Sequence, residues 1–215
     1  MSQNAAGFGA TFEVLSAAEL DRVKTLYAPL TQAVRDLIDA TIWTQVDDDV
    51  VEHARTAIEA VTRSLREKTR PAGMSYLIDG HPLPLGNAAI GLCNPIAPPM
   101  IVHHDDDDGR CWSEFVLGSA YEGPPTLVHG GVSALVLDHL LGEAASQGMT
   151  KPFFTGTITV KYLRGTPLGR LRAEAFIDRI EGVKAFARGF ISDAEGITVE
   201  AEGVFIQPTW VRETE

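Results

Sequence analysis

Residues 129–138 read His129-Gly130-Gly131-Val132-Ser133-Ala134-Leu135-Val136-Leu137-Asp138, two glycines followed by an apolar run that ends in an acid. This stretch predicts a helix over residues 130–147, which Gly148 is placed to end. The first amides of a helix have no partner inside it, and glycine lets another molecule approach them closely. With the positive end of the helix dipole, these amides suit a developing oxyanion.

Asp138 is the only acid within the apolar segment 132–141. A carboxylate in apolar surroundings costs free energy unless it is paired or used, so its presence favours a functional role. Structural alternatives stay open from the residues alone. Asp138 could be a buried acid bound by N–H groups or by a cation, the glycines could allow close packing of helix and strand, and His129 could cap the helix.

The spacing of these residues has a geometric consequence. Gly130 and Asp138 are eight residues apart, which is about 12 Å along a straight helix. One carbonyl group cannot lie within hydrogen-bonding distance of both. If both act on one substrate, Gly130 of one subunit must meet Asp138 of another. This predicts a homo-oligomer with its active site at a two-fold interface.

Strand patterns surround this helix. Residues 111–120 alternate between apolar and polar before it, and four strand candidates follow it, at 153–163, 168–180, 183–192 and 197–207. Turn residues at 181–182 and 193–196 connect the last three candidates. One helix among consecutive antiparallel strands predicts an α+β fold in which the helix lies against the sheet.

The N-terminal third of the chain follows a helical pattern over residues 16–70. Ser16 and Glu19 predict a capping box, and Pro29 is expected to kink or split the helix that follows. The acids at 47–49 predict the start of a second helix. We expect an amphipathic helical cover packed on the core.

The segment 71–110 is rich in proline and glycine, which predicts extended chain and turns. Its run His103–Asp108 is interpreted as a solvated hairpin tip rather than a metal site, so no metal ligand is assigned. Together these patterns predict an N-terminal helical extension over residues 1–80 and a second domain over 81–215.

Composition excludes several classes of function. The 215-residue chain is 45% apolar and 22% charged, with a formal net charge of -11 at pH 7. The acidic balance argues against nucleic acid or an anionic membrane as a partner. Residues 1–6 lack the features of a signal peptide, and the apolar run at 132–141 is too short to span a bilayer. Cys93 and Cys111 form no disulfide or zinc pattern, and we expect a cytoplasmic protein.

The His-Gly-Gly turn, the apolar helix and Asp138, in a strand–helix–meander order, resemble the hotdog-fold acyl-CoA thioesterases. The resemblance is greatest to their phenylacetate-pathway and THEM-type branch, and it includes the segments 121–125 and 155–162. It covers roughly residues 85–208 and implies a bent antiparallel sheet wrapped around the helix. It does not explain residues 1–80.

The resemblance also implies roles for individual residues. An amide of Gly130 or Gly131 would polarise the thioester carbonyl, and His129 would shape that turn. Asp138 would be the general base for water or the nucleophile, and Thr155 would help to orient the water.

Three further residues would bind the coenzyme A part of the substrate: Lys161, Tyr162 and Arg164. Because coenzyme A arrives with the substrate, no separate cofactor is expected. The sequence departs from many relatives at one place. Gly123 stands near the position at which they carry Asn or Gln as a second partner of the carbonyl.

Hydrolysis of acyl-CoA to free acid and coenzyme A is therefore the favoured function, and a non-catalytic acyl-CoA-binding hotdog protein is the alternative. Asp138 and Thr155 favour the enzyme, whereas Gly123 favours the binder. A hotdog hydratase would need an Asp and a His in one site, but Asp138 and His139 point about 100° apart on a helix. The N-terminal helices are expected to influence acyl chain length or assembly.

Overall fold

The computed structural model of the chain describes residues 3–4, 11–71, 74–78, 81–105, 109–148 and 151–209. The helices are α1 (Ala17–Trp43), α2 (Asp48–Arg66) and α3 (Gly130–Ala145). The strands are β1 (Gln3–Asn4), β2 (Thr11–Val14), β3 (Met74–Ile78), β4 (His81–Leu83), β5 (His103–His104), β6 (Cys111–Leu117), β7 (Phe154–Tyr162), β8 (Gly169–Glu181), β9 (Lys184–Asp193) and β10 (Gly196–Ile206). A 3-10 turn at Ser119–Tyr121 precedes the loop into α3.

Six strands form the main sheet, in the order β5-β6-β8-β9-β10-β7, and each neighbouring pair is antiparallel. The predicted meander is β8, β9 and β10. α3 packs against one face of this sheet, and β7, which follows α3 in the chain, lies at the far edge beside β10. The α+β prediction is confirmed, and the sheet wrapped around a single helix is the hotdog arrangement.

Small side chains line the sheet face beneath α3. They are Ala173 and Ala175 on β8, Ala185, Ala187 and Gly189 on β9, and Ala201 and Gly203 on β10. Four residues of α3 are fully buried against this face: Val136, Leu137, Leu140 and Leu141. Burial of each such leucine contributes about 1.5–3 kcal/mol, and the small residues opposite let the helix axis approach the sheet closely.

The start of α1 is the predicted capping box. Ser16 Oγ accepts a hydrogen bond from the Glu19 amide at 3.3 Å, and the Glu19 carboxylate accepts one from the Ser16 amide at 2.8 Å. The Ser16 hydroxyl and amide also lower the pKa of Glu19.

The prediction that Pro29 splits the first helix is wrong, because α1 runs unbroken from Ala17 to Trp43. Proline removes one amide donor and leaves the carbonyl four residues earlier, that of Thr25, without its helical partner. Pro29 and Thr25 are both exposed, so water can hydrogen-bond to that carbonyl.

Side chains of α1 attach the N-terminal region to the loop before β5. Thr31 Oγ1 donates to the Leu92 carbonyl at 2.9 Å, and Arg35 donates to the Ala97 carbonyl at 3.1 Å. Strands β1 to β4 form a separate small sheet in chain order. The domain division at residue 80 stays a prediction; β3 and β4, on either side of it, pair with each other.

The predicted hairpin after residue 102 is formed by β5 and β6, which pair His103 with Trp112 and His104 with Cys111. The Asp105 amide donates to the Arg110 carbonyl at 2.8 Å, which closes the turn. The tip residues 106–108 lie outside the described residues.

None of the helices within the described ranges is both long enough and apolar enough to cross a bilayer.

We predict that Ala187→Leu lowers the free energy of unfolding by about 1–3 kcal/mol, because the added atoms must enter the packed layer between β9 and α3. Ala187 is 1% exposed. Ala194→Leu, the same change in an exposed turn, is the control and should have little effect. Urea unfolding followed by circular dichroism measures both. Equal stability of the two variants would contradict tight packing at this position.

Candidate active site

The N-terminus of α3 presents one free backbone amide. His129 is the N-cap residue, and its Nδ1 accepts a hydrogen bond from the Gly131 amide at 3.0 Å. The Gly130 amide makes no hydrogen bond within the part of the chain that the structure describes. The resemblance implied that the amide of Gly130 or of Gly131 polarises the carbonyl. Of these two amides, that of Gly130 is the one without a hydrogen-bond acceptor in the described part of the chain.

The cap also selects the tautomer of His129. Because Nδ1 accepts the hydrogen bond from the Gly131 amide, a neutral imidazole carries its proton on Nε2. His129 thus caps the helix, as the structural interpretation expects, and this cap also shapes the turn, as the resemblance implies.

Tyr162 on β7 holds the first turn of α3. Its hydroxyl donates to the Gly130 carbonyl at 2.8 Å. A Cβ atom at position 130 would lie 3.2 Å from the Tyr162 ring, so the close approach favours glycine there. The sequence suggested Tyr162 only as a residue that binds substrate, and its contact with the helix start could not be read from spacing.

The loop before α3 is closed around His129. The His129 amide donates to the Tyr121 carbonyl at 2.9 Å, and the Gly123 amide donates to the Leu127 carbonyl at 2.9 Å. A Cβ atom at position 123 would lie 2.7 Å from His129 Cα. This backbone conformation has no room for an Asn or Gln side chain at Gly123.

Asp138 and Thr155 form a hydrogen-bonded pair. Thr155 Oγ1 donates to Asp138 Oδ1 at 2.9 Å, and Asp138 is half-buried. The register between β10 and β7 shifts at Val204/Phe205, and Gly156 is the extra residue on β7. This bulge brings Thr155 opposite the buried Phe205, on the side of the sheet that faces α3.

The structure brings these candidates together in two groups along one helix. Tyr162 lies with His129 and Gly130 at the start of α3, and Thr155 lies with Asp138 two turns later. Gly130 and Asp138 belong to the same unbroken helix, so they are about 12 Å apart along its axis. A single chain does not bring the free amide and the carboxylate to one carbonyl group.

Lys161 lies on the other face of β7 from Tyr162. Its side chain is 72% exposed, and its Nζ atom is 3.9 Å from a carboxylate oxygen of Glu200. At this exposure and distance the pair contributes little, so the ammonium remains accessible to an anionic ligand.

Arg164 forms hydrogen bonds within the chain that the sequence did not predict. Its guanidinium donates to both carboxylate oxygens of Asp193, at 2.9 and 2.5 Å, and to the Gly196 carbonyl at 3.0 Å. The hydrogen bonds from Arg164 lower the pKa of Asp193 to about 2. A phosphate would have to compete with this bidentate pair, so Lys161 is the more accessible cation.

His139 contacts Glu143 rather than the Asp138–Thr155 pair. Its Nε2 atom is 3.3 Å from a carboxylate oxygen of Glu143, a buried acid that also lies 3.6 Å from His104 Nε2. The i, i+4 spacing of His139 and Glu143 on the helix could have predicted this contact from the sequence. Across the described ranges, no group of three or more His, Cys, Asp or Glu side chains is arranged to hold a metal ion.

Comparison with known proteins agrees with this architecture. A family model described as Thioesterase superfamily matches residues 126–200, from the loop before α3 to β10. The crystal structure of a protein described as a thioesterase superfamily protein is 32% identical, with a TM-score of 0.75. The match covers 84% of this chain and 94% of that chain. No curated protein matches the chain.

Two more distant solved structures are similar to about half of the chain. A phenylacetic acid degradation-related protein from Ralstonia eutropha JMP134 is 20% identical over 50% of this chain and 84% of its own, with a TM-score of 0.47. The Escherichia coli PaaI protein from the phenylacetic acid degradation operon is 14% identical over 51% of this chain and 80% of its own, also with a TM-score of 0.47.

The similarity at 32% identity covers more than two thirds of both chains. With the family match over α3 and the strands that carry Thr155 and Tyr162, it shows that this chain belongs to the thioesterase superfamily.

Proposed function

We propose that the protein hydrolyses acyl-CoA thioesters to a free acid and coenzyme A. Membership of the thioesterase superfamily supports thioester hydrolysis in general. The observation that carries the finer proposal is the Thr155–Asp138 pair. It leaves one carboxylate oxygen free on a helix whose N-terminus has an unused amide.

In the proposed reaction the Gly130 amide donates to the thioester carbonyl oxygen and stabilises the negative charge that develops on it. Thr155 holds Asp138 Oδ1, so Oδ2 can take a proton from a water molecule as general base. The resulting hydroxide attacks the carbonyl carbon. Collapse of the tetrahedral intermediate breaks the C–S bond, and the leaving thiolate takes the proton that Asp138 holds.

The same carboxylate could act instead as the nucleophile. Its attack on the carbonyl carbon breaks the C–S bond and expels the coenzyme A thiolate, which takes a proton from solvent, and water then hydrolyses the acyl–Asp138 anhydride. Both routes need the ionised form of Asp138 and a carbonyl polarised by Gly130. Both routes therefore require the Asp138 carboxylate and the Gly130 amide to lie close to the same carbonyl group.

We also propose that the complete site lies between two subunits. The free amide and the carboxylate are about 12 Å apart in one chain. β7 is the longer of the two edge strands of the main sheet, with nine residues against two in β5. Pairing of β7 with β7 of a second copy would continue the sheet and bring the start of one α3 towards the partner's α3. Large apolar side chains are exposed on or next to β7: Phe154, Tyr162 and Leu163 are 41%, 53% and 43% accessible. A second subunit paired with this edge would bury them, which supports the proposal.

Coenzyme A would bind along the outer part of β7. Lys161 is the accessible cation there, and its ammonium suits a phosphate. Arg164 would contribute only after it exchanges a hydrogen bond with Asp193 for one with the ligand. Tyr162 is assigned to positioning Gly130, and through that contact it also fixes where the thioester must lie.

A non-catalytic acyl-CoA-binding protein is the second candidate. Gly123 favours it, because this position offers no side-chain amide as a second partner for the carbonyl. Such a protein would bind acyl-CoA tightly and release no thiol. Release of thiol by the wild-type protein therefore separates the two functions.

We predict that Asp138→Asn lowers kcat for acyl-CoA hydrolysis by about 100-fold or more, because the amide cannot accept the proton from water. Binding of a non-hydrolysable thioether analogue should be retained, since asparagine has the same size. Thiol release from a panel of short, medium, long and aromatic acyl-CoAs measures kcat. Asp21→Asn, an exposed change on α1, is the control. Full activity of Asp138→Asn would exclude both catalytic routes.

We predict that Thr155→Ala lowers kcat by about 10- to 100-fold, because a hydrogen bond to a charged group is lost. Thr155→Ser keeps the hydroxyl and should restore most of the activity. Equal loss in both variants would assign Thr155 a packing role only.

A further inference from the structure

The N-terminal region contains a cavity that the proposed chemistry does not use. It lies between α1, the end of α2, β2 and β3, and the loop before β5, with a volume of about 730 Å³. Its apolar wall includes Val23, Tyr27, Leu30, Leu65, Tyr76 and Leu85. None of the residues assigned to the active site lines it.

Part of this apolar wall is open to solvent. Tyr27, Leu30 and Leu65 are 40%, 36% and 54% exposed. Large apolar side chains that surround an open cavity gain free energy when a ligand removes them from water. The volume lies within the range of about 300–1,000 Å³ that is usual for small-molecule sites.

Three cations line the same cavity: Arg22 from α1 and Lys68 and Arg70 from the segment after α2. Among the described residues, none of these cations forms an ion pair with a carboxylate. The Arg70 guanidinium lies over the Tyr76 ring, 5.8 Å from its centre.

Two acids also line the cavity, and one of them is already used. The Glu19 carboxylate accepts hydrogen bonds from the Ser16 amide and hydroxyl, at 2.8 and 2.7 Å, and is held at the start of α1. Glu13 is the other acid. The cations exceed the acids in number, so the cavity is locally positive within an acidic protein.

We propose that this cavity binds a free fatty acid. The carboxylate would lie against Arg22 and Lys68, since guanidinium and ammonium groups form charge-assisted hydrogen bonds with carboxylates. The alkyl chain would lie against the apolar wall between α1 and α2. This site is separate from the thioesterase site, and the proposal does not depend on catalysis.

Cys93 provides a direct probe of the cavity. It lines the cavity and is half-buried, so a small thiol reagent can reach it. The only other cysteine, Cys111, is fully buried, and burial raises its pKa to about 12. Since the thiolate is the reactive form, a maleimide should label Cys93 and not Cys111.

The test measures the rate at which N-ethylmaleimide labels the full-length protein, followed by intact-mass spectrometry. Dodecanoate, dodecanol and dodecyltrimethylammonium share one chain length and differ in the charge of the head group. We expect dodecanoate to protect Cys93 in a saturable way and the cationic amphiphile to give no protection. Cys93→Ser should abolish labelling, which confirms the modified residue.

Charge variants test the head-group contact. We expect the double variant Arg22→Gln/Lys68→Gln to weaken the apparent affinity for dodecanoate by about tenfold or more. Lys24→Gln is the matched control, because it removes a cation from the same helix outside the cavity lining, and it should leave the affinity unchanged.

Several outcomes would overturn the proposal. Equal protection by the alcohol or the cationic amphiphile, or an unchanged affinity in the double variant, would show that the cations do not select the ligand. Protection by dodecanoyl-CoA but not by dodecanoate, measured on Asp138→Asn so that the ester persists, would assign the cavity to the substrate instead. The thioesterase proposal would stand in each case, because its readout is thiol release.

Discussion

Two hydrogen bonds from β7 fix the helix on which the proposed chemistry depends. Tyr162 holds the Gly130 carbonyl at the start of α3, and Thr155 holds Asp138 further along. They can form because alanine and glycine line the sheet and let the helix lie close to it. The edge strand thus aligns the free amide and the carboxylate, and its own unpaired side is where a second subunit would complete the site.

Sequence patterns predicted the central helix and the meander because both depend on local periodicity and on turn residues. The resemblance to the hotdog thioesterases supplied Thr155, Lys161, Tyr162 and Arg164 as candidate site residues, and their roles stay predictions. The contacts among those residues could not be predicted, because they depend on register. The bulge at Gly156 turns Thr155 towards α3, and the bidentate pair with Asp193 occupies Arg164. Pro29 does not split α1, because the exposed carbonyl that loses its helical partner can bind water, and a kink at Pro29 stays a prediction.

The N-terminal helices add a cavity outside the proposed active site. α1 is attached to the loop before β5 by Thr31 and Arg35, so its position relative to the rest of the chain is fixed by hydrogen bonds. The space that remains between α1 and the end of α2 has an apolar wall and is lined by three cations and two acids. A protein that releases free acids at one site would then carry, at another, a cavity suited to the same chemical class.

The central claim is that the Gly130 amide of one subunit and Asp138 of its partner act on one substrate. Subunit complementation tests it most directly: Asp138→Asn is co-expressed with Gly130→Pro, which removes the amide at the first position of α3. Gly130→Ala, which keeps the amide, controls for the contact of an added Cβ with the Tyr162 ring. Asp138→Asn and Gly130→Pro should each be inactive alone. Equal mixing should restore about a quarter of wild-type thiol release, since half of the dimers are mixed and each has one intact site. No recovery in mixed dimers, isolated by two affinity tags, would contradict a shared site.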